Sequence, residues 1–115
     1  LKSNWHALSK LAELAFELEA QKSKDLREAE AKLIERRDRL DQLDETALIA
    51  FQAPHPAHWH NGDFLWQTWV GQNIRNINVE QARLRALAEM YKPALRKAYS
   101  RKSVLAELAK GQARK

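Results

Sequence analysis

The chain has no cysteine. It therefore holds no disulfide framework and no thiolate zinc site. Glycine and proline are scarce, with three of each in 115 residues. A β fold needs turn residues at short intervals, so this scarcity argues for long helices instead. No apolar run approaches the roughly eighteen residues that a membrane-spanning helix requires, and no secretory signal peptide is visible. A soluble cytoplasmic protein is the expectation. Catalytic signatures are missing too: there is no Gly-rich phosphate loop, no nucleophile elbow and no His-x-x-x-His pair beside a glutamate. Carboxylates such as Glu28, Glu30 and Glu35 are scattered along helical stretches, with no cavity expected to shift their pKa values. We expect no enzyme, no cofactor and no metal centre.

What is present is periodicity. From Asp63 to Gln112, apolar residues return at alternating steps of four and three: Val70, Ile74, Ile77, Leu84, Ala88, Tyr91, Leu95, Ala98, Leu105 and Ala109, interrupted only by Gln81 and Lys102. That spacing is the sequence form of a coiled-coil seam, because about 3.5 residues per turn keep one stripe facing a partner helix. Such a helix reaches roughly 75 Å and needs a partner of similar length. The span from Leu1 to Phe51 supplies one. It has no glycine or proline, and a second 4-3 series runs through Leu1, Trp5, Leu8, Ala12, Ala15, Leu26, Ala29, Leu33, Leu40, Leu43 and Ala47. Glu19, Lys22 and Arg36 are polar insertions in that series. Ser3 or Asn4 is placed to cap its start.

Between the two periodic stretches, residues 52–62 read QAPHPAHWHNG, a loop by its prolines and its Asn-Gly pair. Asp63 follows as a good N-cap. The expected fold is all-α: a single antiparallel two-helix coiled-coil hairpin over residues 1–115, with helices at 3–51 and 63–112. Pro93 should bend the second helix without ending it, since the 4-3 series continues beyond it. Counting back from the loop sets Pro93 at the height of the polar insertions Glu19 to Lys22. A hairpin with no third element is marginal in stability and gains from a partner or from self-association.

Several residues lie outside the seam. Leu11, Leu14, Phe16, Leu18, Ile34, Leu48 and Ile49 either shield its flanks or form a second contact surface. His55, His58 and His60 share the loop with Trp59, but a structural zinc site needs four ligands on a rigid scaffold, so solvated histidines are expected. Phe64, Trp66 and Trp69 open the second helix. They either close the end of the seam against Leu43, Ala47 and Phe51, or offer Trp66 and Trp69 as docking anchors.

Charge is uneven. Nine basic and eleven acidic residues up to Gly62 give −2, whereas eleven basic and four acidic residues from Asp63 onward give +7. Most of the excess follows Tyr91 and includes Arg96, Lys97, Arg101 and Lys102, which are the candidate partner-binding cations. A basic end of this kind either meets an acidic partner or is a solvated terminus. Nucleic-acid binding is the rival reading, with a generic scaffold beside it. Phosphate recognition needs the cations aligned on one face, and here they are distributed around the helix, so no nucleic acid is expected.

Leu95, Ala98, Arg101-Lys102, Leu105 and Leu108 stand as L-x-x-A-x-x-R-K-x-x-L-x-x-L near the end of the second helix. With the aromatic start of that helix (Phe64, Trp66, Trp69), this pattern resembles the FliJ family of flagellar export proteins and their type III secretion relatives. The resemblance implies a coiled-coil stalk like the γ subunit of rotary ATPases, cytoplasmic and peripheral at the inner-membrane export apparatus. It implies as partners the hexameric export ATPase, the export gate protein and export chaperones. It also implies that Arg101 and Lys102 belong to the basic end facing the ATPase.

Overall fold

The computed structural model describes the backbone of residues 4–52 and 59–114, and the side chains of residues 4–47, 49 and 62–112. The fold is an all-α helical hairpin with no strand among the described residues. Helix α1 is Trp5–Gln52 and helix α2 is Trp59–Arg114. Of the two expected caps for α1, Asn4 does the work: its Oδ1 accepts the Ala7 backbone N–H at 3.2 Å, and its carbonyl accepts from Leu8 at 3.1 Å. The side chain thereby satisfies one otherwise unpaired donor of the first turn, and the carbonyl accepts the first intrahelical bond. Ser3 and residues 53–58 of the expected loop, with His55 and His58, lie outside the described residues.

Helix α2 starts at Trp59, earlier than the sequence implies. Asn61, Gly62 and Asp63 are therefore helical, and Asp63 does not cap the helix. An Asn-Gly pair favours a turn, but its cost within a helix is only about 1 kcal/mol at the glycine, which the flanking turns offset. None of the described glycines has positive φ. A Cβ added at Gly71 meets nothing within 4 Å. Gly71→Ala should therefore raise stability by about 0.5–1 kcal/mol through reduced unfolded-state freedom, read as a higher thermal midpoint with unchanged helicity. A lower midpoint would show that this part of α2 is not helical in solution.

The helix also continues through Pro93. A proline inside a helix removes one backbone hydrogen bond and crowds the carbonyl four residues back. Near it lies a void of about 20 Å³, lined in part by Glu19, Ser23, Tyr91 and Lys92. The polar insertion of α1 and the proline of α2 thus share a height, as the count from the loop implied.

The chain divides into two compact units. The first comprises Leu1–Arg27 with Arg85–Lys115, the second Glu28–Leu84. Within the first, the Phe16 and Tyr99 rings lie 5.7 Å apart, and Lys22 Nζ sits 5.7 Å from the centre of the Tyr91 ring. Within the second, Gln81 Nε2 donates to Glu30 Oε1 at 3.1 Å and Arg37 Nη1 to Asn78 Oδ1 at 3.1 Å. Further along, Trp66 Nε1 and Gln67 Nε2 both donate to Asp44 Oδ1, at 3.1 and 2.9 Å. In each unit the α1 partner number rises as the α2 number falls, so the helices run antiparallel.

Every seam position read from the sequence of α2, from Val70 to Ala109, is buried or partly buried, including Gln81 and Lys102. Helix α1 requires a correction. Its positions Trp5, Ala12, Glu19, Leu26, Ala29, Leu33, Leu40 and Ala47 are buried or partly buried, but Leu8, Ala15, Lys22, Arg36 and Leu43 are exposed. The second stripe falls one residue later. Ser9 is buried, and Phe16, Ser23, Glu30 and Asp44 are partly buried. Apolarity selects Leu8 and Leu43, whereas the structure selects Ser9 and Asp44 beside them, and in this stripe Glu30 and Asp44 have partners opposite on α2. Gln81, Asn78 and Trp66 each offer a group that a polar residue on α1 satisfies.

Candidate functional site

The basic residues after Tyr91 do not form one surface. Lys92 is bound to Glu89 at 2.6 Å and Lys110 to Glu107 at 3.9 Å. The Lys92 bond, with the Arg96 field adding to it, holds the Glu89 carboxyl below the usual carboxylate range. Lys102 is partly buried and lies 4.6 Å from the centre of the Phe16 ring, which places its charge against an aromatic face of its own chain. Phe16 is therefore a seam residue packed on Tyr99, not part of an outer surface. Lys97 and Arg101, one helical turn apart, border a groove of about 220 Å³ floored by Ala12, Ala15, Ala94 and Ala98. Neither forms an ion pair among the described residues. Of the four candidate cations, then, the structure brings Lys97 and Arg101 together, leaves Arg96 exposed, and turns Lys102 to the other flank.

Glu19 also lines the groove. Its Oε1 accepts from Lys22 Nζ at 3.3 Å, while Oε2 is buried with no hydrogen-bond partner. Beyond Arg101, a shallow recess is lined by Ser100, Val104 and Leu105. Leu11, Leu18, Val104 and Leu108 are exposed. The sequence signal for this flank on α2 is a second 4-3 series, through Met90, Ala94, Lys97, Arg101, Val104 and Leu108. The stronger seam beside it hides that series, because a residue-by-residue scan assigns one stripe per helix.

In the second unit the two candidate tryptophans separate in role. Trp66 is partly buried and tied to Asp44, so it closes the seam. Trp69 packs its ring 5.4 Å from that of Trp66 and is about half exposed, at 48%. It remains accessible, as does Phe64 at 71% exposed, which therefore does not close the seam. Elsewhere on α2, Arg83 bonds Glu80 and draws that carboxyl below its usual range.

Among the described residues, no group of three or more His, Asp or Glu is arranged to hold a metal ion. Likewise, no described helix is long and apolar enough to cross a membrane. The grooves are open and lie against helix surfaces, which suits protein contact better than enclosure of a small molecule. Compared with protein families, curated proteins and solved structures, the chain matches none.

Proposed function

We propose that the protein is a non-catalytic coiled-coil coupling stalk of a flagellar or type III export apparatus, acting on the hexameric export ATPase and escorting export chaperones. The observation that carries this reading is the charge of the first unit. It holds fourteen basic and six acidic residues, a net of +8, while Lys97 and Arg101 stay unpaired on its surface. The antiparallel helix pair and the L-x-x-A-x-x-R-K-x-x-L-x-x-L pattern support it further. A stalk that turns against a ring works through many weak contacts, since one deep pocket would lock it to a single subunit.

Reversing Arg96 and Arg101 together to Glu should weaken binding to the export ATPase of the same organism by roughly tenfold, and should reduce its stimulation of ATP hydrolysis. Either reversal alone should cost about 0–1 kcal/mol, because both charges are solvent-exposed. Lys102 is left in place, since its contact with Phe16 contributes to the fold. Circular dichroism checks that the double variant stays helical. Undiminished stimulation by the folded variant defeats the stalk reading. Tight duplex DNA binding by the unmodified chain at physiological salt, lost on the same reversal, would replace it with the nucleic-acid alternative.

A further inference from the structure

We infer that the open flank of the first unit is a docking groove for an acidic amphipathic helix of a partner protein. The floor is made of alanines, Ala12, Ala15 and Ala98, so a third backbone can approach closely. Beside this lining stand exposed apolar side chains. Leu11 and Leu18 on α1 are 62% and 67% exposed, and Val104 and Leu108 on α2 are 58% and 41% exposed. Helical geometry carries these side chains to the same flank as the alanines. On α1, Leu11 and Leu18 stand four residues before and three residues after Ala15. On α2, Val104 and Leu108 continue the 4-3 series of Ala94, Lys97 and Arg101. Two parallel rows at helical spacing receive a helix, whose own 4-3 stripe interlocks with them. An extended strand has a period of two and does not.

Charge selects the occupant. Lys97 and Arg101 stand in the middle of the α2 wall with no ion pair in the chain. The one carboxylate in the groove, Glu19, is engaged by Lys22, so the local field is positive. A second copy presenting the same flank would set one +8 unit against another, which like-charge repulsion opposes. A partner helix whose leucines fill the groove and whose glutamates or aspartates meet Lys97 and Arg101 satisfies both features. From Ala94 to Leu108 the groove runs about 21 Å, or about four helical turns. The inference is independent of the ATPase reading, because its test contains no ATPase.

The test uses the full chain and two fluorescein-labelled synthetic helices of about 21 residues. Both carry Leu and Ala at 4-3 spacing. One flanks that stripe with Glu and the other with Lys. By fluorescence anisotropy at low salt, the Glu peptide should bind roughly tenfold or more tighter than the Lys peptide. Leu11→Ala with Leu18→Ala should weaken Glu-peptide binding by about tenfold or more. These substitutions improve helix propensity at exposed sites, so the fold is retained. Lys97→Glu with Arg101→Glu should invert the preference between the peptides. Val79→Ala, an exposed change in the second unit, should alter nothing. Equal affinity for both peptides, or Glu-peptide binding unchanged in the Leu11→Ala/Leu18→Ala variant, overturns the inference. A dimer by light scattering that this leucine variant dissolves overturns it as well, because the groove then belongs to a second copy.

Discussion

Leu84→Ala and Leu40→Ala should each lower the unfolding free energy by about 2–5 kcal/mol, a loss of apolar transfer energy plus the cost of an incompletely closed cavity. Both leucines are 7% exposed and belong to the small buried core. The losses should fall in the lower half of that range, because a contact of only two helices relaxes more freely than a multi-layer core. Leu14, at 57% exposed, marks the other extreme, and its replacement by Ala should change stability within about 0.5 kcal/mol. Leu8 is the discriminating site. Apolar spacing alone places it in the seam, whereas the structure exposes it and buries Ser9 beside it. Urea unfolding followed by circular dichroism reads all four variants on one scale. A loss at Leu8 equal to that at Leu40 would show that α1 is rotated from its position in the structure, with its inner face closer to the all-apolar series.

The contrast between the helices explains how far the sequence could be read. In α2 ten of the twelve seam positions are apolar, so periodicity alone marks the whole stripe from Val70 to Ala109. In α1 only alternate members of the stripe are marked by hydrophobicity. Ser9, Ser23, Glu30 and Asp44 are polar, and for Glu30 and Asp44 the reason for facing inward lies on the other helix. Nothing within residues 1–51 distinguishes Asp44, which receives a tryptophan N–H, from Asp41, which is exposed. The phase of the stripe became visible only when Gln81, Asn78 and Trp66 stood opposite it. The start of α2 was missed for a related reason. Asn61-Gly62 carries a local turn preference, and the helix overrides it. At the candidate site, composition located the cations correctly near the end of the chain. It could not separate Lys102, held against Phe16, from Arg101, open to the groove, because adjacent residues on a helix differ by about 100° in direction.

The polar stripe leads to a second large effect. Asp44→Ala should cost about 1–3 kcal/mol, because one carboxylate oxygen accepts from both Trp66 Nε1 and Gln67 Nε2. Gln67 is exposed and recovers its bond from water. Trp66 is partly buried, so its N–H bears most of the loss. A double-mutant cycle with Trp66→Phe isolates that term. Phe keeps the ring and removes the donor, and a coupling of about 0.5–3 kcal/mol is expected between the two sites. Strict additivity would mean that Asp44 acts only through its charge and does not hold the indole. Asp44→Leu carries the argument further. It adds apolar surface to the seam and helix propensity to α1, so a contact governed by burial alone would be strengthened. If hydrogen-bond matching fixes the phase of α1, the Leu variant should still be less stable than the parent, since it leaves the Trp66 donor unanswered in the same place. A more stable Asp44→Leu variant, with its helices in unchanged register by cross-linking, would assign the phase of α1 to packing and reduce the polar stripe to a consequence of it.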